Sequence, residues 1–88
     1  MAEVVMYTKA TCPYCTMAKR LLGQKGQDWL EIDVAAEPAR HQEMIDRSGR
    51  GTVPQIFIGE THVGGYDELA GLEHAGELDA LLAPEGVG

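Results

Sequence analysis

Two cysteines three residues apart, with a proline directly after the first, constrain this chain more than any other feature. Cys12-Pro13-Tyr14-Cys15 stands where a β-prone run, Val4-Val5-Met6-Tyr7-Thr8, gives way to apolar residues at helical spacing. Positions i and i+3 of a helix lie about 5–6 Å apart, inside the Cα separation of about 4.4–6.8 Å that a disulfide spans. With Cys12 as N-cap and Pro13 at the first helical position, where a missing N–H costs nothing, the first sulfur lies against unpaired backbone N–H groups at the positive end of the helix dipole. Such placement lowers a thiol pKa from about 8.5 to roughly 3.5–7.5, and Lys9, three residues upstream, adds a cation. Cys15, one turn into the helix and flanked by Tyr14 and Met17, is expected to be the more buried sulfur. The stretch reads as a redox dithiol in which Cys12 attacks and Cys15 resolves.

The apolar run before the motif suits a strand buried on both faces, and it delivers Lys9 to Cys12 to the strand's carboxyl end, where open α/β sheets place their ligands. From Pro13 a helix follows with Tyr14, Ala18, Leu21 and Leu22 inward, ended by Gly23 and Gly26. Trp29 to Val34 alternates Leu30, Ile32 and Val34 with Glu31 and Asp33, a second strand. Strand, helix and strand make a βαβ unit with a right-handed crossover. Pro38 opens a second helix and Gly49 closes it, with Met44 and Ile45 as core contacts. Gly51 to Pro54 is a loop into Gln55-Ile56-Phe57-Ile58, and His62-Val63-Gly64 returns as the edge strand of a hairpin. A helix through Asp67 to about Glu73, a short one over Gly76 to Leu82, and a frayed tail over Pro84 to Gly88 complete a single domain of 88 residues.

Composition narrows the partners. Residues 1–50 hold all seven basic side chains and half of the fourteen acids, whereas the remaining acids lie beyond residue 50 with no base among them. A net charge of −7 leaves no unopposed basic surface for nucleic acid. Asp67, Glu68, Glu77 and Asp79 are read as first-turn helix residues, where negative charge is favourable. No apolar run approaches the ~18 residues of a membrane span, and a CxxC pair without other cysteines suits a reducing compartment, so a soluble cytoplasmic protein is expected. Two thiols and scattered histidines (His41, His62, His74) leave a zinc site incomplete. Met6, Met17 and Met44 are read as core filler, and His62 and His74 as surface or satisfied residues.

CxxC beside a βαβ pattern points to a thioredoxin-like α/β fold. Taken with Thr52-Val53-Pro54, the run Gln55 to Ile58, and Gly64-Gly65-Tyr66-Asp67-Glu68-Leu69, the chain resembles the glutaredoxins, in their short bacterial dithiol form, from Val4 to about Leu82. The resemblance implies a four-stranded mixed sheet (βαβ, helix, β-hairpin, helix) and a glutathione-dependent disulfide oxidoreductase, with Cys12 as nucleophile and Cys15 as resolving thiol. It further implies that Lys9 meets the glycine carboxylate of glutathione, that the Val53 backbone pairs with its cysteine as an added strand, and that Pro54 is cis. Gly65, Tyr66 and Asp67 would receive the γ-glutamyl carboxylate at a helix N-terminus, with the Asp67 side chain on the α-amine and Tyr14 and Thr52 bordering the groove. His41 stands where many relatives direct Arg, Lys or Gln at the glycine carboxylate. Arg40 beside it is the other candidate, and a solvent-exposed helix residue is the plain structural reading of His41. Tyr66 stands where relatives often carry a further cysteine.

The expected partners are glutathione, as co-substrate, and disulfide-bonded or glutathionylated proteins, ribonucleotide reductase among them at family level; a monomer without metal, flavin or nucleotide is expected. Two rivals remain open at this point. One is a glutaredoxin-like donor served by thioredoxin reductase. The other is an iron–sulfur carrier in which Cys12 of two chains and two glutathiones hold a cluster, a role that the rigid Pro13-Tyr14 pair disfavours.

Overall fold

The computed structural model describes residues 3–83; the tail expected over 84–88 lies outside the described residues. Strand β1 (Val4–Thr8) leads through the Cys12 loop into α1 (Pro13–Gln24), and β2 (Leu30–Asp33) leads into α2 (Pro38–Ser48). The hairpin β3 (Gln55–Ile58) and β4 (Thr61–Gly64) is followed by α3 (Tyr66–His74) and α4 (Leu78–Leu82). The strands form one mixed sheet in the order β2-β1-β3-β4. β1 runs parallel to β2 and antiparallel to β3, with Tyr7 opposite Gln55. That register sets the start of β3, and Pro54 just before it, beside the end of β1 from which the cysteine loop departs. Sheet and flanking helices form a thioredoxin-like fold.

Side-chain alternation along the strands divides the core in two. Met6, Ile56 and Val63 face α1, α3 and α4, where Leu22, Leu69 and Leu78 are fully buried. Tyr7, Ile32 and Phe57 face α2, which supplies Met44. Burying each such side chain contributes about 1.5–3 kcal/mol. The second layer is held by polar contacts as well: the Tyr7 hydroxyl donates to Glu43 Oε2 at 2.5 Å and accepts from Arg47 Nη1 at 2.8 Å, and the Arg47 guanidinium lies 4.2 Å from the Phe57 ring centre.

Several local expectations are corrected. Helix α1 continues through Gly23 to Gln24; the stop is Gly26, at φ +69°, whose N–H donates to the Gly23 carbonyl. A Cβ added at Gly23 would meet nothing within 4 Å, so the glycine costs the helix backbone entropy without breaking it. Met17 is 40% exposed, against the expectation of core filler, and Tyr14 is 57% exposed, against its placement on the inward side of the helix. The buried face of α1 is formed by Cys15, Ala18 and Leu22, and at about 3.6 residues per turn Tyr14 and Met17 fall to one side of it. Leu30, at the open end of edge strand β2, is also exposed. Trp29 precedes that strand, its indole N–H donating to Glu31 Oε1 at 3.3 Å.

Candidate functional site

Cys12 caps α1 with extended backbone (φ −136°), and Pro13 is the first helical residue. The pair Cys12–Cys15 is joined in a disulfide with Cα atoms 5.2 Å apart. The Cys15 backbone N–H donates to Cys12 Sγ at 3.1 Å, one of the unpaired donors of a helix start turned onto sulfur. When the disulfide is reduced, the same N–H and the helix dipole stabilise negative charge on Cys12. Cys15 is buried at 1% exposure, and Cys12 is partly accessible. An incoming disulfide therefore reaches Cys12 first.

Across from the sulfur, the Val53–Pro54 peptide bond is cis, and the Val53 carbonyl oxygen lies 3.8 Å from Cys12 Sγ. Beside it opens a cleft of about 240 Å³ lined by Tyr14, Thr52, Val53, Pro54, Gly65, Tyr66 and Asp67, together with Arg50, Gln55 and Glu68. The rings of Tyr14 and Tyr66 stack with centres 6.2 Å apart and form one wall. Another part is the start of α3. There the Gly65 N–H donates to Glu68 Oε1 at 2.7 Å, and the same oxygen accepts from Arg50 Nη1 at 3.1 Å. The Gly65 N–H, then Arg50, hold the Glu68 carboxyl below its usual pKa.

The fold thus brings together seven of the residues singled out by sequence around one cleft next to Cys12. Lys9, Arg40 and His41 are not among its lining residues. Lys9 is exposed on the loop before the dithiol. Arg40 is engaged by Glu43 at 2.8 Å and Glu37 at 3.9 Å. His41 is half-buried, with Nε2 3.3 Å from the Gly51 carbonyl, and so ties α2 to the loop that precedes Thr52. Arg50, Gln55 and Glu68 were not singled out as site residues. Each left a trace: Arg50 is the last base before the base-free half, Gln55 is the polar member of an otherwise apolar strand, and Glu68 follows Gly65 at capping-box distance. Among the described residues no group of three or more His, Cys, Asp or Glu could hold a metal, and no helix is long and apolar enough to cross a membrane.

The family model described as Glutaredoxin matches residues 4–63. A protein named Glutaredoxin from Pseudomonas aeruginosa is 55% identical over 83 residues, covering 94% of this chain and 99% of that protein. Glutaredoxin 3 of Escherichia coli K12 is 54% identical over 82 residues, 93% and 99% of the two chains. Among solved structures, a buckwheat glutaredoxin–glutathione complex superimposes with a TM-score of 0.85 at 31% identity, covering 92% of this chain and 76% of that one.

Proposed function

The chain belongs to the glutaredoxin family, and from that premise we propose that it is a glutathione-dependent oxidoreductase reducing protein–glutathione mixed disulfides and protein disulfides. The observation that carries the reading is the accessible, N-capping Cys12 sulfur facing the Val53 carbonyl at 3.8 Å. An extended backbone beside a nucleophilic sulfur is what a peptide disulfide needs. The Val53 C=O and N–H pair with the cysteine residue of glutathione in strand fashion, which aims its sulfur at Cys12. The γ-glutamyl carboxylate goes to the first backbone N–H groups of α3, at Tyr66 and Asp67, beside the Gly65 N–H that Glu68 already holds, and its amine goes to the Asp67 side chain, while Tyr14 and Tyr66 flank the peptide. Lys9 takes the glycine carboxylate: among the described residues it has no ion pair, whereas Arg40 is committed to Glu43 and His41 to Gly51. A neighbour of this fold at 31% identity was solved with glutathione.

The chemistry is thiol–disulfide exchange. The Cys12 thiolate attacks the glutathione sulfur of a mixed disulfide; the S–S bond breaks, the target leaves as thiolate and takes a proton from water. A second glutathione thiolate then attacks the sulfur bound to Cys12, giving oxidised glutathione and regenerating Cys12. With a protein disulfide, Cys12 first bonds to the target. Cys15 then loses its proton, attacks the Cys12 sulfur and releases the reduced protein, leaving the Cys12–Cys15 disulfide seen in the structure for two glutathiones to reduce.

Glutathione-coupled reduction of a small glutathionylated thiol tests this with Cys12→Ser and Cys15→Ser variants. Cys12→Ser should abolish turnover. Cys15→Ser should retain it on the small mixed disulfide and lose it on a protein disulfide. Turnover that survives Cys12→Ser overturns the proposal.

A further inference from the structure

Gln55 has no exposed surface, although its neighbours along β3 are apolar and an apolar side chain would fill the space. A buried amide left unpaired costs about 1–3 kcal/mol, so its partners matter. Its Oε1 lies 2.8 Å from His62 Nε2, and its Nε2 donates to Thr52 Oγ1 at 3.3 Å. The three side chains form a polar chain from edge strand β4, across the first residue of β3, to the lip of the cleft. Thr52 directly precedes Val53, whose carbonyl faces Cys12 Sγ. The far end of the chain is anchored, since the His62 ring stacks on Phe57 with centres 4.8 Å apart and Phe57 lies under Arg47. Burial, followed by the positive charge of Arg50, holds His62 below its usual pKa. At neutral pH the ring therefore carries one N–H, and which nitrogen bears it decides which way the Gln55 amide faces.

We infer that His62 and Gln55 are positioning residues for the redox site: His62, protonated at Nε2, orients the Gln55 amide so that it holds the Thr52 hydroxyl and, with it, the Thr52-Val53-Pro54 segment against which substrate peptide pairs. This rests on the glutathione reading above. Replacing such a polar chain wholesale by apolar groups is nearly neutral for stability, so its value lies in direction.

The experiment combines steady-state kinetics on a small glutathionylated thiol with nitrogen-15 NMR of the imidazole. His62→Phe keeps the ring stack and removes the donor; Thr52→Val removes the acceptor. Each should raise KM for the glutathionylated substrate about three- to tenfold, the loss of one hydrogen bond, while kcat changes by less than about twofold. The double variant should be no worse than either single one, because both break the same chain. His62→Gln, whose amide nitrogen reaches the place of Nε2, should recover most of the loss. The wild-type ring should be the Nε2–H tautomer at neutral pH. A KM for His62→Phe equal to wild type, additive losses in the double variant, or an Nδ1–H tautomer overturns the inference, even if melting temperatures fall. Should the wild type itself ignore glutathionylated substrates, the proposed function fails with it, and the tautomer still reports whether the chain of bonds exists.

Discussion

Gly64 and Gly65 adjoin in sequence but are under different obligations. The resemblance to glutaredoxins directs attention to Gly65, at the turn into α3. The backbone puts the steric demand on Gly64, which sits at φ +112°, where a Cβ would come within 2.6 Å of Glu68 Oε1. Gly65 has φ −92°, and a Cβ there would meet nothing closer than 3.5 Å. Gly64→Ala should therefore cost about 1–3 kcal/mol for the backbone region alone, and more if Glu68 is pushed off the Gly65 N–H. Gly65→Ala should cost clearly less. Urea denaturation of the two variants checks this, and equal losses would refute it. The contrast marks what was legible at this scale. Cys12 and Pro13 could be assigned from sequence because a helix N-terminus is a local structure. The burial of Gln55 and its bond to His62 depend on β4 returning along β3 with an irregular register between Ile56 and Phe57, and no local pattern carries that.

At the scale of elements, order and type follow from apolar spacing, whereas the face a helix turns inward is set by how it docks. Tyr14 and Met17 fit the inward side of an isolated helix, yet α1 turns Cys15, Ala18 and Leu22 to the core and leaves both exposed. That exposure is what makes Tyr14 available to the cleft. Helix α3 offers the opposite case, a short element whose start is set by one charged side chain. Glu68 receives the Gly65 N–H and Arg50, and its pKa is lowered, chiefly by the Gly65 N–H. A lowered folded-state carboxyl pKa contributes stability that is present above the unfolded value, about 4.3, and is lost as pH falls through the folded one. Glu68→Gln keeps a side-chain acceptor for the cap but cannot titrate. The variant should be less stable than wild type near pH 7, by a small margin because the group is largely exposed, and the gap should close below about pH 4. Denaturation midpoints across that range test it; a gap constant with pH would mean that Glu68 acts through shape alone.

For the whole molecule, the uneven charge distribution becomes a matter of which halves touch. Beyond residue 50 the chain has acids and no Lys or Arg, so pairing of those acids draws on the first half, and among the described residues two cations do so. Arg50 reaches Glu68 at the cleft. Lys25, at the end of α1, reaches Glu73 of α3 at 2.6 Å and Asp79 of α4 at 2.8 Å. From sequence, Asp67, Glu68, Glu77 and Asp79 suit helix starts, and they stand there, Asp67 and Glu68 in the first turn of α3, Asp79 in that of α4 and Glu77 at its N-cap. That one lysine would clasp three helices was not legible, because it depends on how α1 lies along α3. The Lys25 pKa is raised, first by Asp79 and then by Glu73, so the clasp contributes below the ordinary lysine value, about 10.4, and is lost as pH rises through the folded value. Lys25→Met keeps the stem and removes the charge from a protein of net charge −7, adding repulsion to the lost pairs. Its melting temperature should fall below wild type at low salt. The deficit should shrink toward 1 M NaCl, where the Debye length is about 3 Å. Asp79→Asn should show a smaller loss, non-additive with Lys25→Met because the two share one contact. A deficit that persists undiminished in high salt would place the role of Lys25 in the packing of its stem, since screening removes charge effects and leaves apolar contacts in place.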